Sequence, residues 1–238
     1  MQQELFYPKI MLDYPYKKNT AVLNRKVKAE DGLTYAAKEK MSDNDYTPLN
    51  EWVCANIARK VGIPIPDFKI LKDFNGSLLF GSRWETGIAP FALAYNTCTL
   101  ESPEILSSIL IFDLIMLNTD RHLNNLFVQN VEGVYKLLAF DHSHTLLFHN
   151  PLPNPNNILT PRMDGIPQLW KIMNLKIDSI EVNRILDNFS NISNGFYNTM
   201  LSHCNTWATD EIINMIYEWL RSRLNCKQQI LDFIGALK

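Results

Sequence analysis

The alternation of apolar and polar positions divides this chain into a strand-rich first third and a helix-rich remainder. Residues 21–28 and 33–40 read as two strands around Glu30-Asp31-Gly32, an Asp-Gly turn of the kind hairpins favour. In the second arm Leu33, Tyr35 and Ala37 alternate with Thr34, Ala36 and Lys38. A helix follows over 47–60, with Thr47 as N-cap, Pro48 at its first position and Gly62 and Pro64 beyond its end. Residues 68–71 and 77–80 form a second strand pair about Asn75-Gly76. A strongly apolar helix is predicted from Ser102-Pro103 through Leu117, and it runs into a polar stretch, Asn118 to Asn125. A short hairpin then follows, with arms at 126–128 and 135–140 and a turn at Glu132-Gly133. From 168 onwards apolar residues recur every three to four positions, predicting helices over 177–188, 192–204, 210–224 and 227–237. Residues 1–20, punctuated by Tyr7-Pro8 and Tyr14-Pro15, read as an irregular arm. Residues 85–100 read as irregular with some helix. Residues 149–167 carry five prolines and read as a long loop.

Chemistry concentrates around that second hairpin. If Gly133 is its midpoint, Asn125 and Asp141 face one another at its open end. Asp120 sits in the preceding loop, with Arg121, His122 and Asn124 beside it. Two acids and an amide suit a hard divalent cation, for Mg²⁺ takes oxygen ligands and completes its shell with phosphate oxygens. A second acid not committed to metal is placed to hold a hydroxyl nucleophile, which is what phosphoryl transfer requires. Within the apolar helix, Asp113 is a lone acid. Burying it is costly without hydrogen bonds, so it is expected to brace the loop.

Composition narrows the choices. The 238 residues are 46% hydrophobic and 20% charged, enough apolar content for one large domain or two lobes around a cleft. The net charge of −2 offers no electrostatic case for direct nucleic-acid binding. The four cysteines are widely spaced and are expected to be reduced. Nine scattered glycines form neither a G-x-x-x-x-G-K-[ST] loop nor a G-x-G-x-x-G turn. No leader or membrane-spanning run is read, so a cytoplasmic protein without membrane attachment is expected.

Asn118-Thr119-Asp120-Arg121-His122-Leu123-Asn124-Asn125, followed by the hairpin and Ala139-Phe140-Asp141-His142, resembles the catalytic core of HipA-like kinases, which at this site are similar to phosphoinositide kinases. Upstream, Tyr35-Ala36-Ala37-Lys38 resembles the kinase strand that carries the phosphate-binding lysine. Leu49-Asn50-Glu51-Trp52 and the exit Val61-Gly62-Ile63-Pro64 resemble the family's partner helix. The resemblance covers about residues 20–145. It implies an α+β, two-lobed protein-kinase-like fold, with a small antiparallel-sheet lobe and one helix over 1–82 and a mainly helical lobe over 83–238. It further implies Asp120 as the catalytic acid/base, Asn125 and Asp141 as metal ligands, Lys38 on ATP phosphates and Glu51 holding Lys38. His122 would stabilise the loop, and Arg121 would contact acidic neighbours or phosphate. Phe80-Gly81-Ser82-Arg83 would form a hinge whose backbone holds adenine. Lys40 competes with Lys38, and residues 16–22, which contain no glycine, are the candidate phosphate cover. His142 and His144 alternate as a zinc-binding pair would, but the resemblance sets His142 beside the metal-binding acid instead. Ser143 and Thr160 are candidate modification sites. The implied activity is ATP- and Mg²⁺-dependent transfer to a Ser or Thr of a protein substrate, with an antitoxin or regulatory protein as a further partner. A nucleotide-binding pseudokinase and a metal-dependent phosphoesterase are the alternatives.

Overall fold

The structure, a computed structural model, describes residues 6–14, 25–94, 96–158, 170 and 176–237. It is mixed α+β. Five antiparallel strands form the first sheet: β1 (Ile10–Tyr14), β2 (Arg25–Ala29), β3 (Thr34–Lys38), β4 (Phe68–Lys72) and β5 (Leu78–Arg83), in the order β1-β2-β3-β5-β4. The expected irregular arm therefore contains a strand. Its Ile10-Met11-Leu12 run does not alternate, and pairing with β2 creates the ladder that local pattern hides. The candidate phosphate cover, residues 16–22, lies outside the described residues.

The turn between β2 and β3 follows from its sequence. Gly32 has φ +81°, a conformation that disfavours a side chain, and Asp31 Oδ1 accepts from Leu33 N at 3.0 Å. Period-two alternation then sorts β3 into two faces. Tyr35 and Ala37 join Val27, Leu71 and Leu79 in a small core inside the sheet, while Ala36 and Lys38 face the other way. The two outer strands also approach each other, for Lys72 N donates to Pro8 O at 2.9 Å beside a Lys9–Lys72 bridge. That contact covers backbone an open sheet would leave unpaired.

Helix α1 (Thr47–Val61) starts one residue earlier than expected. Tyr46 is its N-cap, and Asp45 rather than Thr47 supplies a side-chain bond, Thr47 N to Asp45 Oδ1 at 2.9 Å. Glu51 thus stands in the second turn. Gly62, with φ +89°, ends the helix by donating to Ala58 O. A second sheet, β6 (Ile88–Pro90), β7 (Leu126–Val131) and β8 (Val134–Ala139), is ordered β6-β7-β8, and β6 leads into the short α2 (Phe91–Ala94). Behind it lies α3 (Ile105–Met116), buried from Leu106 to Met116, as expected of a helix apolar on every side.

The C-terminal helices are α4 (Ser179–Ser190), α5 (Asn194–Leu201), α6 (Asp210–Leu224) and α7 (Lys227–Leu237). Asp178, Ser193 and Thr209 cap the first three by accepting from the backbone N–H three residues on. These segments reach further than closing the larger lobe. Trp52 Nε1 donates to Met200 O and Trp207 Nε1 to Leu78 O, each at 2.9 Å, tying them to α1 and β5. Residues 151–158 are irregular, as expected, but anchored. The buried Arg223 donates to the carbonyls of Pro155, Asn157 and Ile158, and also to Leu114 O on α3. Thr160 lies outside the described residues.

Candidate active site

A cavity of about 1090 Å³ opens between the two sheets. Its roof is the outer face of the first sheet, with Ala36 and Lys38 from β3, Phe68 from β4 and Phe80 and Ser82 from β5. Its floor is the hairpin, where the rings of Phe127 and Phe140 stack 4.0 Å apart and nearly parallel. Asp120, Asn125 and Asp141 line the same cavity.

Lys38 joins the halves. Its Nζ hydrogen-bonds Glu51 Oε1 from α1, and it donates at 2.7 Å each to Asp141 Oδ1 and Ser143 Oγ from beyond β8. Ser143 Oγ lies 2.9 Å from Glu51 Oε1 and 2.8 Å from Asp141 Oδ1, and His142 N donates to Glu51 Oε1 at 2.9 Å. Burial alone would lower the pKa of Lys38, but Glu51 and Asp141 outweigh it and raise it. Burial would likewise raise both carboxylates, yet the Lys38 ammonium holds each below its ordinary value. Hydrogen bonds add to this, from His142 at Glu51 and from Lys38 and Ser143 at Asp141. All three groups are therefore charged at neutral pH. Lys40, the competitor, points elsewhere and donates to Trp207 O at 2.8 Å.

The hairpin register differs by one residue from expectation. Glu132 and Gly133, at φ +55° and +92°, make a two-residue turn, so Val131 pairs with Val134 and Leu126 with Ala139. The ladder thus sets Asn125 opposite Phe140, whose N donates to Asn125 O at 3.3 Å. Asp141 lies two residues past the last ladder pair, and its left-handed backbone, φ +58°, breaks the strand's alternation there. Asn125 and Asp141 reach the cavity nonetheless.

Arg121 is at the acidic neighbour, not at the cavity. Its guanidinium is wholly buried, with Nε 2.8 Å from Asp113 Oδ2 and Nη2 3.0 Å from Oδ1. Nη1 donates to Asn125 O and Phe140 O, each at 2.8 Å. It pins α3, the loop and both ends of the hairpin together, and this is also how Asp113 braces the loop. With all these bonds made, the Arg121 guanidinium is committed to Asp113 and the hairpin and is not part of the cavity lining.

Phe80, Gly81 and Ser82 differ as well. They lie inside β5 and pair with β3 on one side and β4 on the other, so the ladders use the backbone groups expected to hold adenine. Gly81 faces Leu71 and Tyr35, not the cavity. The segment after Arg83, including Trp84, Thr86 and Gly87, lines the cavity beside the side chains of Phe80 and Ser82. His122 stands beside Asp120, its Nε2 4.0 Å from Oδ2 and its side chain half-exposed. His144, paired in sequence terms only with His142, is closer, with Nδ1 3.4 Å from the same oxygen. The 24 positions that separate His144 from Asp120 carry no sequence signal for that contact beyond the hairpin that folds them back.

A family model described as HipA-like kinase matches residues 25–151, more than half of the 238, and this span contains every residue named in the site. The chain belongs to the HipA-like kinase family. Membership and fold together support kinase chemistry. The crystal structure of the Helicobacter pylori proinflammatory kinase CtkA superposes with a TM-score of 0.56 at 14% identity, over 91% of this chain and 94% of that one. At that identity the likeness shows the shared fold. An N-terminal 618-residue fragment of LepB from Legionella pneumophila aligns more loosely, with a TM-score of 0.42 and 13% identity over 85% of this chain and 46% of that one. No curated protein matches this chain in sequence.

The donor set suits a nucleotide with a divalent cation. Asn125 Nδ2 is committed to Asp120 O at 2.8 Å, which leaves the amide oxygen for a cation. Asp141 is charged and partly open to the cavity, its side chain 20% exposed. A carboxylate and an amide oxygen are ligands of the kind Mg²⁺ takes beside phosphates.

Proposed function

We propose that this HipA-like kinase transfers the γ-phosphoryl group of ATP, bound with Mg²⁺, to a hydroxyl, a Ser or Thr side chain of a protein. The observation that carries the reading is Lys38 held at once by Glu51 and Asp141. A buried lysine between a helix glutamate and a metal-binding aspartate is the arrangement kinases use to fix phosphates. A phosphoesterase needs no such pair.

In this reading Lys38 binds the α/β phosphates and Glu51 keeps its ammonium in place. Asn125 and Asp141 hold Mg²⁺, which when bound offsets the charge of the phosphates. Asp120 orients the acceptor and takes its proton as the new oxygen–phosphorus bond forms and ADP departs. The stacked Phe127 and Phe140, with Phe68 and Phe80 above, give an apolar slot for a purine. Asp120 and Asp141 then matter for different reasons, one for the acceptor and one for the metal.

The test is [γ-³²P]ATP labelling of lysate proteins by the purified chain and by Asp120→Ala and Asp141→Ala. Each variant should lose about 100-fold or more in rate. Asp120→Ala should keep the thermal shift produced by ATP with MgCl₂, while Asp141→Ala should lose most of it. Full transfer by both variants would end the assignment. Phosphate release without labelling would favour an esterase.

A further inference from the structure

Asp120 is flanked by two imidazoles that meet the same carboxylate oxygen, and they are not equivalent. His122 Nε2 is 4.0 Å from Oδ2, beyond hydrogen-bond reach, on a side chain 49% exposed. His144 Nδ1 is 3.4 Å away, on a side chain 30% exposed. His144 is also fixed. Its carbonyl accepts from both Thr119 N and Thr119 Oγ1, each at 3.2 Å, and its ring stacks on Phe148 with centroids 4.1 Å apart. Asp120 is fixed in turn, its N donating to Asn118 Oδ1, while Asn118 Nδ2 donates to the buried Asp113. The Thr119 tether therefore references ring and carboxylate to each other across the whole hairpin. Both side chains line the cavity.

We infer that His144 is the positioning residue of the acceptor site, holding one oxygen of Asp120 so that the other faces the incoming hydroxyl. This rests on the reading of Asp120 as the acceptor-side base. A carboxylate 41% exposed on a loop would otherwise sample several rotations about its own bond. With Oδ2 against the imidazole, Oδ1 is the oxygen available to substrate. The 3.4 Å separation is long for a hydrogen bond, and catalytic contacts of that kind tighten when a complex forms. Phe148, itself exposed, keeps the ring from swinging away from the cavity.

Initial rates of lysate-protein labelling at varied ATP decide the matter. His144→Ala should lower the rate at saturating ATP by about 10- to 100-fold, the scale of a misplaced reacting group, with KM for ATP and the ATP-induced thermal shift unchanged. His144→Asn, whose amide nitrogen falls near the place of Nδ1, should recover most of the rate, and His144→Gln should not. Phe148→Ala, which leaves both polar groups intact, should lower the rate by a smaller factor with the same unchanged KM. In an Asp120→Ala background, His144→Ala should cost nothing more, because the two act as one unit. Full rate in His144→Ala or in Phe148→Ala would overturn the inference, as would an undiminished cost in the Asp120→Ala background. If His144→Ala fails to fold, Phe148→Ala and the Asn and Gln variants decide. Full rate in Asp120→Ala would instead remove the reading of Asp120, and the role of His144 with it. Loss in Asp120→Ala with none in His144→Ala would remove the role of His144 alone.

Discussion

Replacing Lys38 with methionine should be one of the most damaging single changes to stability in this chain. The ammonium is 9% exposed and faces Glu51, 4% exposed, and Asp141, 20% exposed. At 2.7 Å and an effective dielectric near 20, the attraction to Asp141 alone is about 6 kcal/mol. That to Glu51 is comparable. The ammonium's lost hydration offsets much of this, by several kcal/mol per buried ion. Methionine regains that term, but it leaves two carboxylates facing one another with no cation between them. The net loss should be about 3–5 kcal/mol, the scale on which one partner of a buried pair is removed. For a chain of this size that lowers Tm by about 6–20 °C. Pairing the change with Glu51→Gln removes one stranded charge. The double variant should therefore be less destabilised than the sum of the two singles, a coupling visible in a double-mutant cycle. Urea unfolding followed by circular dichroism at pH 7 measures all four chains. A Lys38→Met chain within about 1 kcal/mol of the parent, or strictly additive singles, would refute the reasoning, since either means the ion cluster does not act as one unit.

Stability should also depend on pH through this cluster. Glu51 and Asp141 sit below their ordinary values of 4.5 and 3.8, so their contribution is present above about pH 4.5 and is lost as pH falls and the unfolded carboxylates bind protons first. Below those values the two together add a slope of up to about 2.7 kcal/mol per pH unit, and unfolding across pH 2–6 should show the slope reduced in Lys38→Met. Gly81→Ala should cost about 1–3 kcal/mol by overpacking, because the new Cβ would meet Leu71 Cδ1 at 2.6 Å and Cγ at 2.9 Å, and trimming Leu71 to Ala in the same chain should make the added methyl harmless. Arg121→Lys should destabilise the fold by about 3 kcal/mol or more although charge is kept, since lysine cannot meet both Asp113 oxygens and two carbonyls; a variant with parental urea midpoint would show the pin to be dispensable. Because Lys38 already occupies Asp141 Oδ1, MgCl₂ alone should raise Tm less than MgCl₂ with ATP, and equal shifts in the two titrations would contradict that competition.

Legibility in the sequence tracked how local each signal was. The Asp31-Gly32 and Glu132-Gly133 turns, α1 and its Gly62 stop, and the buried α3 were all readable, because turn chemistry and periodicity act within a few residues. Strand β1 is not legible because its partner, not its own pattern, makes it a strand. Strand β6 is hidden for the same reason, three residues that pair with β7 inside a stretch with no period of its own. The hairpin register was off by one because the turn takes two residues with positive φ, Glu132 as well as Gly133, and a glycine invites counting from itself. The lobes were expected to meet at a hinge. They also meet behind the cleft, where Trp52 and Trp207 each give an indole N–H to a carbonyl far along the chain. An amphipathic stripe reveals that a tryptophan is buried, but not which distant carbonyl its nitrogen will find.

The site shows the same division in sharper form. Lys38, Glu51, Asp120, Asn125 and Asp141 could be named from order and spacing, since a resemblance is carried by residue types at intervals. Their second partners could not. Arg121 was a cation beside a candidate phosphate site, and only the fold shows that Asp113, eight residues earlier and one helix end away, takes it out of contention. Ser143 is a candidate modification site by sequence, yet its hydroxyl touches all three members of the Lys38 cluster and is closed to solvent. His144, half of a zinc-like H-x-H pair by sequence, faces Asp120 instead. Each of these depends on a side chain meeting a neighbour whose position the turn at Asp141 fixes, where φ +58° ends the strand's alternation and turns the next residues inward. An alternating strand would send Asp141 and Ser143 to one face and His142 and His144 to the other. The left-handed backbone at one residue is what lets Asp141, His142 and His144 line a single cavity while Ser143 turns to Lys38 and Glu51, and it is a property that no list of residue types contains.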